Sequence, residues 1–135
     1  MDRKDCVKTI LIIDDDDDTA AALSCILEST GYRVRRAADG DEGLRMAAAE
    51  RPDLIILDFM MPVKDGFCTC RELSDNPDLR RVPIIALTAF GQDIGEEHGL
   101  PRDEASNRIR EYLEKPVEPN ILLERVAATL KAGPR

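Results

Sequence analysis

Five residues that can do chemistry stand at the ends of apolar runs in this chain. Asp14 and Asp15 follow Thr9-Ile10-Leu11-Ile12-Ile13, and Asp58 follows Asp53-Leu54-Ile55-Ile56-Leu57. Thr88 closes the run from Val82, and Lys115 lies just past Glu111-Tyr112-Leu113-Glu114. Three ionised carboxylates at close range repel one another and need a cation. Oxygen donors with no His or Cys nearby suit Mg2+, which keeps several waters and shares oxygens with phosphate. The plainer reading of the acidic run Asp14–Asp18 is a solvated loop leading into a helix, where carboxylates suit the dipole. That reading fits Asp16, Asp17 and Asp18. It fits Asp14 and Asp15 less well, because they directly follow buried apolar residues. Asp58, Thr88 and Lys115 are weak signals one at a time, but four strand ends carrying such groups in this order form a strong one.

These residues can meet only if their runs lie side by side as parallel strands, since ligands in such sheets bind beyond the strands' carboxyl ends. The segments between the runs fit that arrangement. Leu23, Ile26 and Leu27 recur at helical spacing over about 18–29, with Gly31 as the stop. A charged strand at 32–37, carrying Arg33, Arg35 and Arg36, suits a sheet edge. Further helices are predicted over 41–50, over 66–74 with Asp65 as cap, and over 119–131 with Pro119 in the first turn. Strand and helix alternate five times, the pattern of an α/β protein with a doubly wound parallel sheet. One stretch resists it. Gly95, Gly99 and Pro101 cut into the helix expected between Thr88 and Glu111, predicting a short or broken helix and the least protected part of the fold over about 91–110.

Composition narrows the function classes. The chain has 135 residues, 19 Lys+Arg against 27 Asp+Glu, and a net charge of −8. That length suits one domain, and 43% hydrophobic residues exclude a disordered chain. Charged residues at 34% and the lack of a long apolar run argue against a membrane protein. The negative balance argues against direct nucleic-acid binding, which rewards clustered Lys and Arg. Cys6, Cys25, Cys68 and Cys70 form no zinc-type pair, and Cys68 and Cys70 fall on different faces of a helix. A reducing, cytoplasmic setting is the expectation.

The motifs ILIIDDD (10–16), LIILDFMMPVKDGF (54–67), PIIALTAF (83–90) and YLEKPVEP (112–119) resemble the receiver domains of response regulators in two-component signalling. The resemblance covers about residues 8–131, leaving 1–7 and 132–135 as tails, and implies five parallel strands in the order 2-1-3-4-5 with five helices. It implies that Asp58 accepts a phosphoryl group and that Asp14 and Asp15 are the acid pair holding Mg2+, with the backbone carbonyl of Met60 completing the metal site. Thr88 and Lys115 would contact the phosphoryl oxygens, Tyr112 would swing on activation, and Lys115-Pro116 would be cis. The implied partners are a histidine kinase or histidine phosphotransfer protein as donor, a downstream target or fused output domain, and in some cases a second copy of the chain. Met60 and Phe90 would flank the approach of a hydrolysing water, and neither side chain can orient one, so a slowly decaying phosphorylated form is expected. After Lys131 only Ala-Gly-Pro-Arg remains, which leaves a stand-alone receiver or a piece of a longer protein as the two expectations.

Three rival readings account for less. Asp15-x-Asp17-x-Thr19 matches the nucleophile motif of haloacid-dehalogenase-type phosphatases, but leaves Asp58 unexplained and lacks a later acidic pair. A calcium loop starting at Asp14 has Thr19 where glycine is required and Cys25 where glutamate is required. A scaffold with a dead site does not explain why all five expected residues are present.

Overall fold

A computed structural model describes residues 7–59, 66–88 and 109–132. Its elements in chain order are β1 (Thr9–Ile13), α1 (Asp17–Ser29), β2 (Arg33–Ala37), α2 (Gly40–Ala49), β3 (Leu54–Asp58), α3 (Gly66–Asp75), β4 (Ile84–Thr88), β5 (Ile109–Glu114) and α4 (Pro119–Ala132). The strands form one parallel sheet in the order β2-β1-β3-β4-β5. Both the fold class and the strand order agree with the expectation. Boundaries moved by one or two residues: β4 starts at Ile84 instead of Val82, and β5 starts at Ile109 instead of Glu111 and absorbs a register shift against Ile84 and Ile85.

Alternation along the strands divides the core in two. Ile10 and Ile12, Leu54 and Ile56, and Ile85 and Leu87 share one cluster with Leu23 and Leu27 of α1, Leu113 of β5, and Leu122 and Val126 of α4. Leu11 and Ile13, Ile55 and Leu57, and Ile84 and Ala86 share the other with Ala47 of α2 and Cys70 and Leu73 of α3. Strands buried on both faces read as unbroken apolar runs, which is why β1, β3 and β4 stand out in the sequence. On β2, by contrast, Arg33, Arg35 and Arg36 keep the sheet's edge charged, and Glu50 receives the first two of them.

The helices begin where capping chemistry allows. Asp16 caps α1, accepting from the Asp18 amide and the Thr19 hydroxyl, so its solvated-cap reading holds. At the other end Gly31 takes a φ of +98°, as a helix stop requires. Cys68 is exposed and Cys70 buried, as their spacing predicts. Asp65 and the helix expected between β4 and β5 lie outside the described residues, as does nearly all of the 91–110 connection.

Candidate functional site

Parity along the strands assembles the site. Asp14 continues the 10, 12 row of β1 and Asp58 the 54, 56 row of β3, so both leave the sheet on the α1–α4 side. Ile13 pairs with Leu57, which places the next residues, Asp14 and Asp58, abreast. Lys115 continues the row of Leu113, and its amide donates to the Thr88 carbonyl at 2.9 Å, carrying the β4–β5 pairing past the end of β5. Its ammonium therefore arrives on the same side as the acids. Lys115 Nζ lies 3.1 Å from Asp14 Oδ2 and 3.1 Å from Asp58 Oδ2. The Lys115–Pro116 bond is cis, as the resemblance implied.

Burial makes these charges consequential. Asp14 is fully buried and Asp58 nearly so, and a paired charge in that setting is costly to leave alone. Asp14 Oδ1 accepts the Asp16 amide at 2.9 Å. Asp14 Oδ2 is buried and receives no hydrogen bond within acceptable geometry, although the ammonium is close. Desolvation, aided by the charge of Asp58, pushes the Asp14 carboxyl up from 3.8 to about 6 against the pull of the Asp16 amide and Lys115. For Lys115, burial acts to lower the pKa, but the hydrogen bond to Asp58 and the charges of both acids outweigh it and the net direction is up.

Asp15 is exposed, yet it belongs to the same cluster. One oxygen from each of Asp14, Asp15 and Asp58 lies within 4.8 Å of the others. Three carboxylates that each bring an oxygen to one place, with only the Lys115 ammonium beside the buried Asp14 Oδ2, form a donor set fitted to a hard divalent cation. The predicted residues Asp14, Asp15, Asp58 and Lys115 are thus brought together.

Thr88 and Tyr112 sit differently. Thr88 is buried and continues the 84, 86 row, which turns it to the α2–α3 side. Tyr112 pairs with Ala86 on that same side and is 37% exposed. Burial first, and then the Cys70 thiol of α3, hold its hydroxyl above the ordinary range. Met60 and Phe90 lie outside the described residues.

The sequence reading passed over Arg36 as one more charge on an edge strand. In the structure its Nε and Nη2 donate to the Asp14 carbonyl at 3.2 and 2.9 Å, and its Nη1 pairs with Asp17 at 2.8 Å. An arginine on the last turn of an edge strand beside an acidic strand end was the available signal.

A parallel five-stranded sheet with acids at the ends of β1 and β3 and a lysine after β5 defines a class, and comparison with known proteins agrees. The chain belongs to the response regulator receiver domain family, whose model matches residues 10–127. It is a receiver domain of a two-component system, a signalling switch and not a conventional enzyme. It is 40% identical over 127 residues to the transcriptional regulatory protein AfsQ1 of Streptomyces coelicolor, covering 94% of this chain and 53% of AfsQ1. The chain therefore spans about half the length of that relative, though it covers 96% of protein PilH of Pseudomonas aeruginosa, at 34% identity and 90% of its own length. Among solved structures it resembles the receiver domain of a sensor histidine kinase from Pseudomonas aeruginosa, with a TM-score of 0.79, 31% identity, and coverage of 93% and 98% of the two chains. That crystal structure has a magnesium ion coordinated in its active-site cleft.

Proposed function

We propose that Asp58 is the phosphoacceptor of this receiver and that Asp14, Asp15 and Asp58 hold Mg2+, with the Met60 carbonyl as a further ligand. The observation that carries this reading is the single ammonium of Lys115 bridging two buried carboxylates, 3.1 Å from each, with a third carboxylate in the same cluster. Bound Mg2+ would offset the negative charge that gathers when a phosphoryl group meets three acids. The chain's own residues do the rest. An Asp58 oxygen attacks phosphorus as the N–P bond of a partner's phosphohistidine breaks; the proton that the ring carries on its other nitrogen stays there, leaving an acyl phosphate on Asp58 and a neutral imidazole on the partner. Lys115, already hydrogen-bonded to Asp58, stays with the carboxylate and meets an incoming phosphoryl oxygen. The Thr88 hydroxyl, one strand away, supplies a donor to another.

The switch proposed here is the pair Thr88 and Tyr112 on the α2–α3 side. A Thr88 hydroxyl drawn toward the phosphoryl group vacates space that the Tyr112 ring can fill. The donor is a histidine kinase or histidine phosphotransfer protein. A groove of about 240 Å³ beside Lys115, lined by Leu23 and Ile26 of α1 with Pro116 and Val117, suits the apolar face of such a partner's helix. We propose residues 8–131 as the receiver unit and the cytoplasm as its setting. Among the described residues no helix is long and apolar enough to cross a membrane. Output passes to a downstream protein or a fused domain, with a homodimer as a second form.

Incubation with phosphoramidate and Mg2+, followed by intact mass spectrometry, tests the assignment. Wild type is expected to gain one phosphoryl group and Asp58→Asn none. Equal labelling of the two would overturn it.

A further inference from the structure

We infer that Arg36 is a positioning residue for the acid pair: its guanidinium clamps both ends of the Asp14–Asp17 turn and so sets where Asp15 presents its carboxylate. The inference rests on the reading of the acidic cluster as a cation site.

The case starts from the end of the β1–β2 ladder. Ile13 pairs with Ala37, and the Asp14 amide donates to the Ala37 carbonyl at 3.1 Å. A continuing parallel ladder would next offer a β2 amide to the Asp14 carbonyl. That amide would be the one of Asp39, but there the chain turns into α2 and Asp39 becomes the helix cap. The Asp14 carbonyl is met by Arg36, whose Nε and Nη2 lie 3.2 and 2.9 Å away. That carbonyl belongs to the Asp14–Asp15 peptide, so fixing it fixes the plane from which Asp15 departs.

The other nitrogen of the fork, Nη1, lies 2.8 Å from Asp17 Oδ1 in the first turn of α1. One planar group thus joins Asp14 at the strand end to Asp17 at the helix start, with Asp15 and Asp16 between them. Asp14 needs little help, because its amide and its Oδ1 are already held by Ala37 and Asp16. Asp15 is exposed, and its carboxylate must come to within 4.8 Å of the other two from a turn without ladder support. Groups that orient metal ligands without touching the metal typically change affinity by about 10–100-fold when lost. For a single exposed ligand the effect expected here is nearer the lower figure.

Charge alone predicts the opposite. Removing a cation beside an acidic cluster should make Mg2+ bind more tightly, while a lysine at 36 should change nothing. Geometry predicts that lysine fails too, because a point charge cannot grip a carbonyl with two nitrogens while pairing with a carboxylate through a third.

The test compares wild type, Arg36→Lys and Arg36→Met, with Arg35→Met as a control on the same strand, whose partner is Glu50. Hydrogen exchange in EDTA reads the turn without metal, and calorimetric titration with Mg2+ reads the site. Both Arg36 variants are expected to exchange the Asp16 amide about tenfold faster or more, with Ile12 unchanged, and to bind Mg2+ about tenfold more weakly. Arg35→Met should match wild type in both. Unchanged Asp16 exchange in Arg36→Lys, or tighter Mg2+ binding in Arg36→Met, would overturn the clamp. A wild type that takes up no Mg2+ would overturn the metal reading instead, and exchange in EDTA would still decide the clamp by the same criterion.

Discussion

The two faces of the sheet meet at one edge and do different things there. On the α1–α4 side, Asp14, Asp58 and Lys115 extend rows of buried aliphatic residues and bring two negative charges and one positive charge within 3.1 Å contacts. On the α2–α3 side, Thr88 and Tyr112 extend their own rows and carry no formal charge. In the proposed switch the first face handles charge and the second reports it, and the two are close because β3 and β4 are bonded neighbours. Phe59, on the α2–α3 side, donates its amide to Leu87 at 3.0 Å, a direct tie between the residue after Asp58 and the residue before Thr88. Such an arrangement needs no long path between sites. A change of charge on one face is one strand away from a change of packing on the other.

Two neighbouring isoleucines of β3 separate the faces most forcefully. Ile55 and Ile56 are both fully buried, but Ile55 packs against the α2–α3 cluster and Ile56 against the α1–α4 cluster, in the row that ends at Asp58. Truncation to alanine at either is expected to cost about 2–5 kcal/mol in urea unfolding. The losses should be alike, but Mg2+ affinity should fall further in Ile56→Ala, whose cavity lies under the charged row. Equal loss of Mg2+ affinity in both variants would mean that the faces are not mechanically distinct.

The charged face was the more legible in the sequence, for a physical reason. Strands buried on both sides are apolar almost throughout, so an aspartate directly after Ile13 or Leu57, itself buried, marks a strand end where a site can begin. The convergence of Asp14, Asp58 and Lys115 followed from that pattern, and the strand order from the family resemblance alone. What stayed hidden depends on backbone atoms or on fit. Arg36 binds a carbonyl, which every residue has, so no partner residue type betrays the contact. Gly43 drew no notice in the sequence, yet a Cβ there would overlap Ile13 Cδ1, so α2 lies as close on β1 as it does because glycine stands at that position. The start of β5 was missed because Ile109-Arg110 is short and charged, and its pairing is irregular where it begins.

A smaller effect should expose the electrostatic character of the charged face. The folded-state pKa of Asp14, about 6, stands above the ordinary 3.8, so between those values the folded protein holds a proton that the unfolded chain has released. Metal-free protein should therefore gain stability as pH falls from 7 toward 4, and lose that share as pH rises through about 6. Asp14→Asn removes the buried charge. In EDTA at pH 7 it should be more stable than wild type by something on the order of 2 kcal/mol, with the difference closing near pH 4. Urea midpoints across that range give the answer. On the proposed metal site, the order should reverse with Mg2+ present, since the variant would lack a ligand. A constant difference at every pH would show that the buried charge of Asp14 does not govern the metal-free fold.

The smallest effect is expected on the other face, and it decides whether the two can be separated at all. Tyr112 is more than a third exposed, pairs with Ala86 across the strands, and lies two positions along from the row that ends at Thr88. Its ring can pack toward α3, where Cys70 lies, without contributing any charge to the acidic cluster. Tyr112→Phe keeps the ring and removes only the hydroxyl, so folding stability should stay within about 0.5 kcal/mol of wild type. Mg2+ affinity and the extent of labelling by phosphoramidate should both be unchanged, because neither depends on the α2–α3 side. The difference should appear only after phosphorylation, as an altered environment of residue 112, seen in its aromatic NMR signals with and without phosphoramidate. A shift in Mg2+ affinity in Tyr112→Phe would place the ring within the charged face's own electrostatics. The reporting residue would then help set the charge it reports, and the division of labour between the faces would fail.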